Sequence, residues 1–230
     1  MLISNFEREI FTAMKRLLSG VLIALAYVVA AFAQNTGDDY KPGEFFIGYS
    51  NQQVDTGLGD IDDDLGLDLD DKETFHGFNV SGVYNVSRYF GVKADVSGAY
   101  SNKGYVFTVP TTGGGSGSVA FETKSSLYNF LGGVQIKDNS NSGRVKPFAH
   151  ALVGAAHTRV KLSGLGCSVG VDCSLFEGGS ETNFAGAFGG GLDIRLSRRV
   201  QLRAIQVDYN PIWFDGGVQS NIRLGFGFVF

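Results

Sequence analysis

Three groups of residues in this 230-residue chain carry enough polarity at close spacing to do chemistry. The first is the stretch Gly57 to Glu73, GLGDIDDDLGLDLDDKE, where Asp60, Asp62 and Asp64 stand two residues apart among further aspartates. Carboxylate oxygens at that density suit Ca²⁺, or a divalent-cation bridge to an anionic surface. As an EF-hand loop starting at Asp60 the stretch fails twice. Leu65 occupies the place that needs glycine, and Asp71 replaces the bidentate glutamate. A solvated acidic loop is the stronger expectation, with Asp60, Asp62 and Asp64 a weak calcium candidate. The second group is RAIQVDY, with Arg203, Gln206 and Asp208, joined by Lys93, Asp95, Asp193, Arg195 and Arg223 from other segments. Charges of both signs around an amide suit a hydrogen-bonded ion network, either a structural plug or the lining of an ion path. The third comprises His76, His150 and His157, which raise the question of a hydrolase.

Two cysteines, Cys167 and Cys173, lie close together in CSVGVDC. A short-loop disulfide formed in an oxidising compartment is expected, because two further ligands for a metal site are missing nearby. No cofactor and no resident metal are expected.

The elements that must position these groups are strands. From Tyr89 to Tyr100, Phe90, Val92, Ala94, Val96 and Tyr100 share one parity while Lys93, Asp95 and Ser97 share the other. That period of two makes one face greasy and gives the other charge. The same alternation runs over Glu44–Ser50, Gly77–Asn85, Tyr128–Lys137 and Phe184–Leu196, and less clearly over Val145–Val160. From Val200 to Tyr209 the phase slips, since Val200, Leu202 and Ala204 have one parity and Ile205, Val207 and Tyr209 the other. One extra residue in a strand has this effect, so a β-bulge is predicted at Ala204 to Ile205. The chain closes with Ile222, Leu224, Phe226, Phe228 and Phe230 alternating against Asn221, Arg223, Gly225 and Gly227, which makes eight strands.

Short polar turns fall at Val86–Arg88, Asp138–Arg144 and Leu196–Arg199. Long Gly/Asp/Ser-rich segments fall at Gln53–Glu73, Lys103–Thr123, Lys161–Glu181 and Asn210–Gly217. This alternation predicts an all-β fold, an eight-stranded antiparallel up-and-down barrel with both termini at the short-turn end. A soluble barrel keeps its apolar face inside, so the content of the faces must decide the orientation. The apolar parity is nearly free of charge and rich in Phe and Tyr, as lipid and its interfaces require. The other parity mixes both charges with Gly, Ala, Ser and Asn, which can fill a narrow lumen. The apolar face is therefore expected outward, in a transmembrane β-barrel.

Export supports this. Met14-Lys15-Arg16 precede LLSGVLIALAYVVAAFA, a basic region followed by an apolar core and Ala31-Phe32-Ala33, a small-x-small cleavage site. Residues 1–33 are thus expected to be a signal peptide cut after Ala33, with Met14 the alternative start. Residues 34–43 are expected to form a short tether and 44–230 the barrel. The remainder carries 16 basic and 21 acidic residues, a net charge of −5 that argues against nucleic acid as a partner. Spread over eight strands, it allows about 25 residues for each strand and its connection, enough for strands of about 9–11 residues across a bilayer.

FFIGYS at the first strand, YFGVKADVSGAY after a tight turn, AFGGGLDIRLSRRVQLRAIQVDY across the last short turn and the terminal LGFGFVF together resemble the small outer-membrane barrels of Gram-negative bacteria, the OmpA-like and opacity-protein-like superfamily. The resemblance covers the whole mature chain. It implies residence in the bacterial outer membrane and contact with lipid and lipopolysaccharide. It also implies recognition of Phe226, Phe228 and Phe230 by the outer-membrane assembly machinery, and a monomer whose long loops support envelope integrity or bind an extracellular ligand. Unlike full-length OmpA the chain stops at its last strand, so a peptidoglycan-binding domain is not expected. A small porin-like channel is the competing reading. Lipid A deacylases are also eight-stranded but place histidine two residues before serine. Here Phe78, Leu152 and Arg159 stand in that place, so the protein is expected not to be an enzyme.

Overall fold

The computed structural model describes residues 40–55, 72–110, 116–140, 143–167 and 178–230. They form eight strands: β1 (Gly43–Asp55), β2 (Lys72–Asn85), β3 (Phe90–Pro110), β4 (Ser116–Lys137), β5 (Val145–Cys167), β6 (Gly179–Arg195), β7 (Gln201–Phe214) and β8 (Gly217–Val229). Each pairs antiparallel with the next, and β8 returns to β1, so the sheet is a closed barrel. Closure runs from Phe46↔Val229 to Gln53↔Ile222 and continues past the end of β8. There the Phe230 N–H donates to the Phe45 carbonyl over 2.9 Å, and the Phe45 N–H donates to Phe230 over 3.1 Å.

Polarity is inside out. Ile47, Phe78, Val92, Phe130, Val134, Phe188, Val207, Phe226 and Phe228 face outward and are exposed, while Lys93, Asp95, Lys137, Asp193, Arg203, Asp208 and Arg223 are buried in the interior. Glycine sets the spacing at the seam. Gly48 and Gly227 stand opposite each other, and a methyl group on Gly227 would run into the Ile47 carbonyl.

The phase slip in β7 is a bulge. Leu192 pairs with Ile205 and Asp193 with Arg203, leaving Ala204 unpaired, and on the other side Arg203 and Gln206 face Gly227 and Gly225. The extra residue turns Ala204 and Ile205 outward together, so that Arg203 and Gln206, three apart, both point inward.

Three segments expected as long loops are shorter in the structure. β3 and β4 stay paired from Tyr105↔Phe121 to Pro110↔Ser116, within the predicted loop Lys103–Thr123. β5 continues to Cys167, inside Lys161–Glu181. Glycine and serine lower strand propensity, but GYVFTVP is rich in β-branched and aromatic residues, and a partner strand outweighs the local preference. The stretch Asn210–Gly217 is a strand end, the two-residue turn Asp215-Gly216 and a strand start, closed by the pair Phe214↔Gly217. Asp-Gly is a strong hairpin signal, and composition alone hid it.

At the short-turn end Arg88 pairs with Asp138 at 3.1 Å across neighbouring turns. This guanidinium, with the Ser140 N–H, holds the exposed Asp138 carboxyl well below the usual carboxylate range. The contribution to turn stability is present at neutral pH and lost as acid protonates Asp138. Gly143, at φ +80°, supplies the left-handed residue that the 138–144 turn requires.

The bulge makes an unusual prediction. Deleting Ala204 restores strict alternation and should leave a barrel that still migrates differently when boiled and unboiled on a denaturing gel. Deleting Val207 instead drives Asp208 onto the lipid face and should abolish the unboiled, folded band.

Candidate functional site

The interior has two layers. In the half near the short turns, strand alternation aims charged residues from six strands at the barrel axis. Lys137 Nζ donates to Glu44 at 2.7 Å, to Asp193 at 2.7 Å and to Gln201 at 3.2 Å. Arg203 holds Asp193 with Nε at 2.8 Å and a terminal nitrogen at 3.1 Å, and donates to Gln206 Oε1 at 2.8 Å. Gln206 passes the chain to Asp208 at 2.7 Å, and Arg223 joins Asp208 at 2.7 Å to Asp95 at 2.8 Å. Asn79 donates to the other Asp95 oxygen at 2.9 Å. A branch leaves Asp208, whose Oδ1 lies 2.9 Å from His150 Nε2, while His150 Nδ1 lies 3.2 Å from Lys93 Nζ.

Among the described residues the buried carboxylates Glu44, Glu73, Asp95, Asp193 and Asp208 match in number the buried cations Lys93, Lys137, Lys146, Arg203 and Arg223. Such balance is what a low-dielectric interior demands of charges kept there. The Arg203 guanidinium is also sandwiched, 4.3 Å from the Phe46 ring centre and 4.0 Å from that of Phe148. Flat, weakly hydrated guanidinium suits this place better than ammonium.

Above the charges lies an apolar layer. Val54, Phe75, Ala99, Leu127, Leu131, Leu152, Ala156, Ala185, Ala187 and Ile212, from seven strands, form one buried cluster, and Phe214 packs against it. An eight-stranded barrel is just wide enough for side chains to fill, and here this apolar cluster, together with the buried Gln52, Glu73, Asn210 and Asn221, fills the half toward the longer connections.

Outside, an interfacial belt circles the barrel at the upper edge of the apolar band. The Tyr49 hydroxyl meets His76 Nδ1, Tyr100 and Tyr128 stack edge to face at 5.7 Å, and His157 Nδ1 lies 2.8 Å from the Thr182 hydroxyl. Phe184 and Trp213 follow at 5.2 Å, and the Tyr209 hydroxyl lies 3.0 Å from that of Ser220. Rings with a polar tip are the side chains that suit a boundary between hydrocarbon and water.

A closed eight-stranded wall, apolar outside and ionic inside, is the layout of a family whose model, described as the outer membrane protein beta-barrel domain, matches residues 19–230. The chain belongs to that family. No individually curated protein matches it in sequence. Among solved structures it is similar to Ail, the attachment invasion locus protein of Yersinia pestis, in complex with the heparin analogue sucrose octasulfate, with 19% identity, a TM-score of 0.48, and 82% of this chain and 97% of that one covered. It is also similar to Neisserial surface protein A, with 14% identity, a TM-score of 0.49, and 84% and 98% covered. A third similar structure is OprG of Pseudomonas aeruginosa, with 15% identity, a TM-score of 0.40, and 83% and 97% covered.

Within this outer-membrane barrel, Lys93, Asp95, Asp193, Arg203, Gln206, Asp208 and Arg223 meet in the interior. Arg195 does not share their depth. It is half-buried at the mouth, where it donates to the Ser140 carbonyl at 3.4 Å. Glu44, Lys137 and His150 complete the network and were missed as site residues. Glu44 and Lys137 were visible as charges on the inward parity, but nothing in the sequence announces that strands so far apart bring them together. His150 points inward, because it shares the parity of Phe148 and Leu152. His76 and His157 belong to the outer belt. Phe226, Phe228 and Phe230 face outward on the closing strand. Asp60, Asp62, Asp64 and Cys173 lie outside the described residues, while Cys167 ends β5. Among the described residues no group of His, Cys, Asp and Glu could hold a metal ion.

Arg223→Ala strands Asp95 and Asp208 in the interior and should lower stability against urea in lipid vesicles by about 3–5 kcal/mol. Combining Arg223→Met with Asp95→Asn removes one charge of each sign, keeps the interior balanced and should cost less than Arg223→Ala alone.

Proposed function

We propose that this outer-membrane barrel is a non-enzymatic, monomeric surface protein whose lumen is a structural plug and whose recognition surface lies at the end with the longer connections. The observation that carries the reading is the filled interior: buried carboxylates and cations in equal number, with an apolar cluster from seven strands above the ion network. Ion passage would need the charge pairs to break and the apolar layer to part, which disfavours the porin-like alternative. The three strands β3, β4 and β5 run past the Tyr100–Tyr128 belt, and a rigid sheet standing clear of the membrane is a good support for binding loops.

The rest of the reading follows the family layout. Residues 1–33 serve as a leader cut after Ala33, residues 34–43 as the approach to the wall, and 44–230 as the barrel, with short turns in the periplasm and longer connections outside. Phe226, Phe228 and Phe230 act as the mark read by the assembly machinery. Cys167 and Cys173 form a disulfide, and the acidic loop with Asp60, Asp62 and Asp64 serves as a solvated or calcium-binding segment.

Planar-bilayer recordings should show no steady conductance above the bare bilayer. A steady conductance altered by Arg203 or Asp208 substitution would establish the channel instead. Replacing residues 102–124 by a two-residue turn should leave a heat-modifiable barrel in the outer membrane but abolish capture of soluble serum and matrix proteins by cells that carry it. Equal capture by the trimmed protein would place recognition elsewhere.

A further inference from the structure

The strand register places three cations together on the outer face of the barrel, at and just above the belt. Lys124 on β4 and Lys161 on β5 are direct cross-strand partners, and Arg159 is two residues before Lys161 and opposite Ser126. All three are exposed and on the outward parity. Directly opposed residues on one sheet face have Cβ atoms about 4.5–5.5 Å apart, and like charges in that position destabilise the pairing. Among the described residues no carboxylate forms an ion pair with any of the three. Glu122, one step farther out on the same face of β4 and opposite Ser163, is not bridged to Lys124. A conflict of this kind is relieved by an anion that spans all three groups.

Height on the barrel identifies the anion. The row below contains Tyr128↔His157↔Thr182, part of the belt, and the row with Arg159 contains Tyr100, Ser126 and Ser180. Arg159 stands level with Tyr100 of the belt and Lys124 and Lys161 one row above it, all facing away from the axis, where lipid headgroups surround the barrel. Strands β3 to β5 continue beyond this level. Ser126 and Asn102 supply neutral donors beside the charges.

We propose that Lys124, Arg159 and Lys161 form a binding site for a phosphate monoester on an outer-leaflet glycolipid headgroup, tying the protein to one lipid through charge-assisted hydrogen bonds. The site rests on the membrane reading of the barrel given above, and its outer-leaflet assignment on the longer connections facing outside, whereas the phosphate contact itself does not depend on which end faces the periplasm. The test therefore uses vesicles that carry the lipid in both leaflets.

The protein is refolded into phosphatidylcholine vesicles, alone or with bisphosphorylated lipid A, and its urea midpoint is followed with lipid A content and salt. Lipid A should raise the midpoint, and added salt should shrink the gain. The triple variant Lys124→Gln, Arg159→Gln, Lys161→Gln should weaken the apparent lipid A affinity about a hundredfold, about fivefold for each charge near the surface. Lys103→Gln, a charge removal on the opposite parity of β3, should leave it unchanged. Lys161→Glu gives a result that does not depend on the triple variant folding. It places a carboxylate opposite Lys124, so it should match or exceed the wild-type midpoint in phosphatidylcholine alone and fall below it with lipid A. The site is overturned if the triple variant keeps the full lipid A gain, if dephosphorylated lipid A gives the same gain, or if Lys161→Glu is destabilised in phosphatidylcholine alone, which would assign the cations to a carboxylate of the chain. An equal gain from inorganic phosphate or a soluble sulfated polysaccharide would make it a solution-anion site and overturn the lipid assignment.

Discussion

Hydrocarbon cannot hydrogen-bond a peptide group, so every backbone N–H and C=O at membrane depth must find its partner within the protein. For strands that leaves one solution, a sheet with no edge, and the pairing of β8 with β1 is the contact on which everything else depends. Closing an eight-stranded sheet fixes the width of the interior, and an interior of that width must be filled. The glycines of the seam follow from the same demand. Gly48 and Gly227 lie where the first and last strands face each other, and the carboxyl-terminal Phe230 is hydrogen-bonded to Phe45 so that the seam extends through the last residue.

What fills the interior divides the labour. The charged half links strands distant in sequence: Glu44 of β1, Lys137 of β4 and Asp193 of β6 meet at one ammonium, and Asp95 of β3, Asp208 of β7 and Arg223 of β8 meet at one guanidinium. Ionic contacts of this kind contribute little net stability compared with apolar packing, but they penalise every register that leaves one of them unpaired. Since a slip of one residue would turn every side chain to the wrong face, the network acts as a check on register. The apolar half supplies the packing, and it closes the lumen toward the longer connections.

The architecture was legible in the sequence because lipid outside and charge inside impose a period of two that few other folds would carry with charge on the filled face. The phase slip at Ala204 and Ile205 was legible for the same reason, since a bulge is the one local change that alters parity without breaking the strand. The upper layer was not. Leu127, Leu131, Leu152 and Ile212 are apolar residues on the inward parity, so where they occur the contrast between the faces fades, and β5 with Phe148, Leu152 and Ala156 inward read as an unclear strand. His150 was lost in that blur. The extent of β3 to β5 was hidden by Gly and Ser, whose weak preference for strands yields to pairing with a neighbour that is already in place.

The central claim is that the aromatic and aliphatic face meets lipid, with its upper belt at the hydrocarbon boundary. Trp213, the chain's single tryptophan, sits in that belt, partly exposed and packed against Phe184, and reports on it without substitution. The decisive measurement is quenching of its fluorescence in vesicles whose lipids carry bromine at different depths along the acyl chain. The account predicts strong quenching by bromine near the headgroup and weaker quenching by bromine near the bilayer centre. Fluorescence unaffected by bromine at any depth would contradict it.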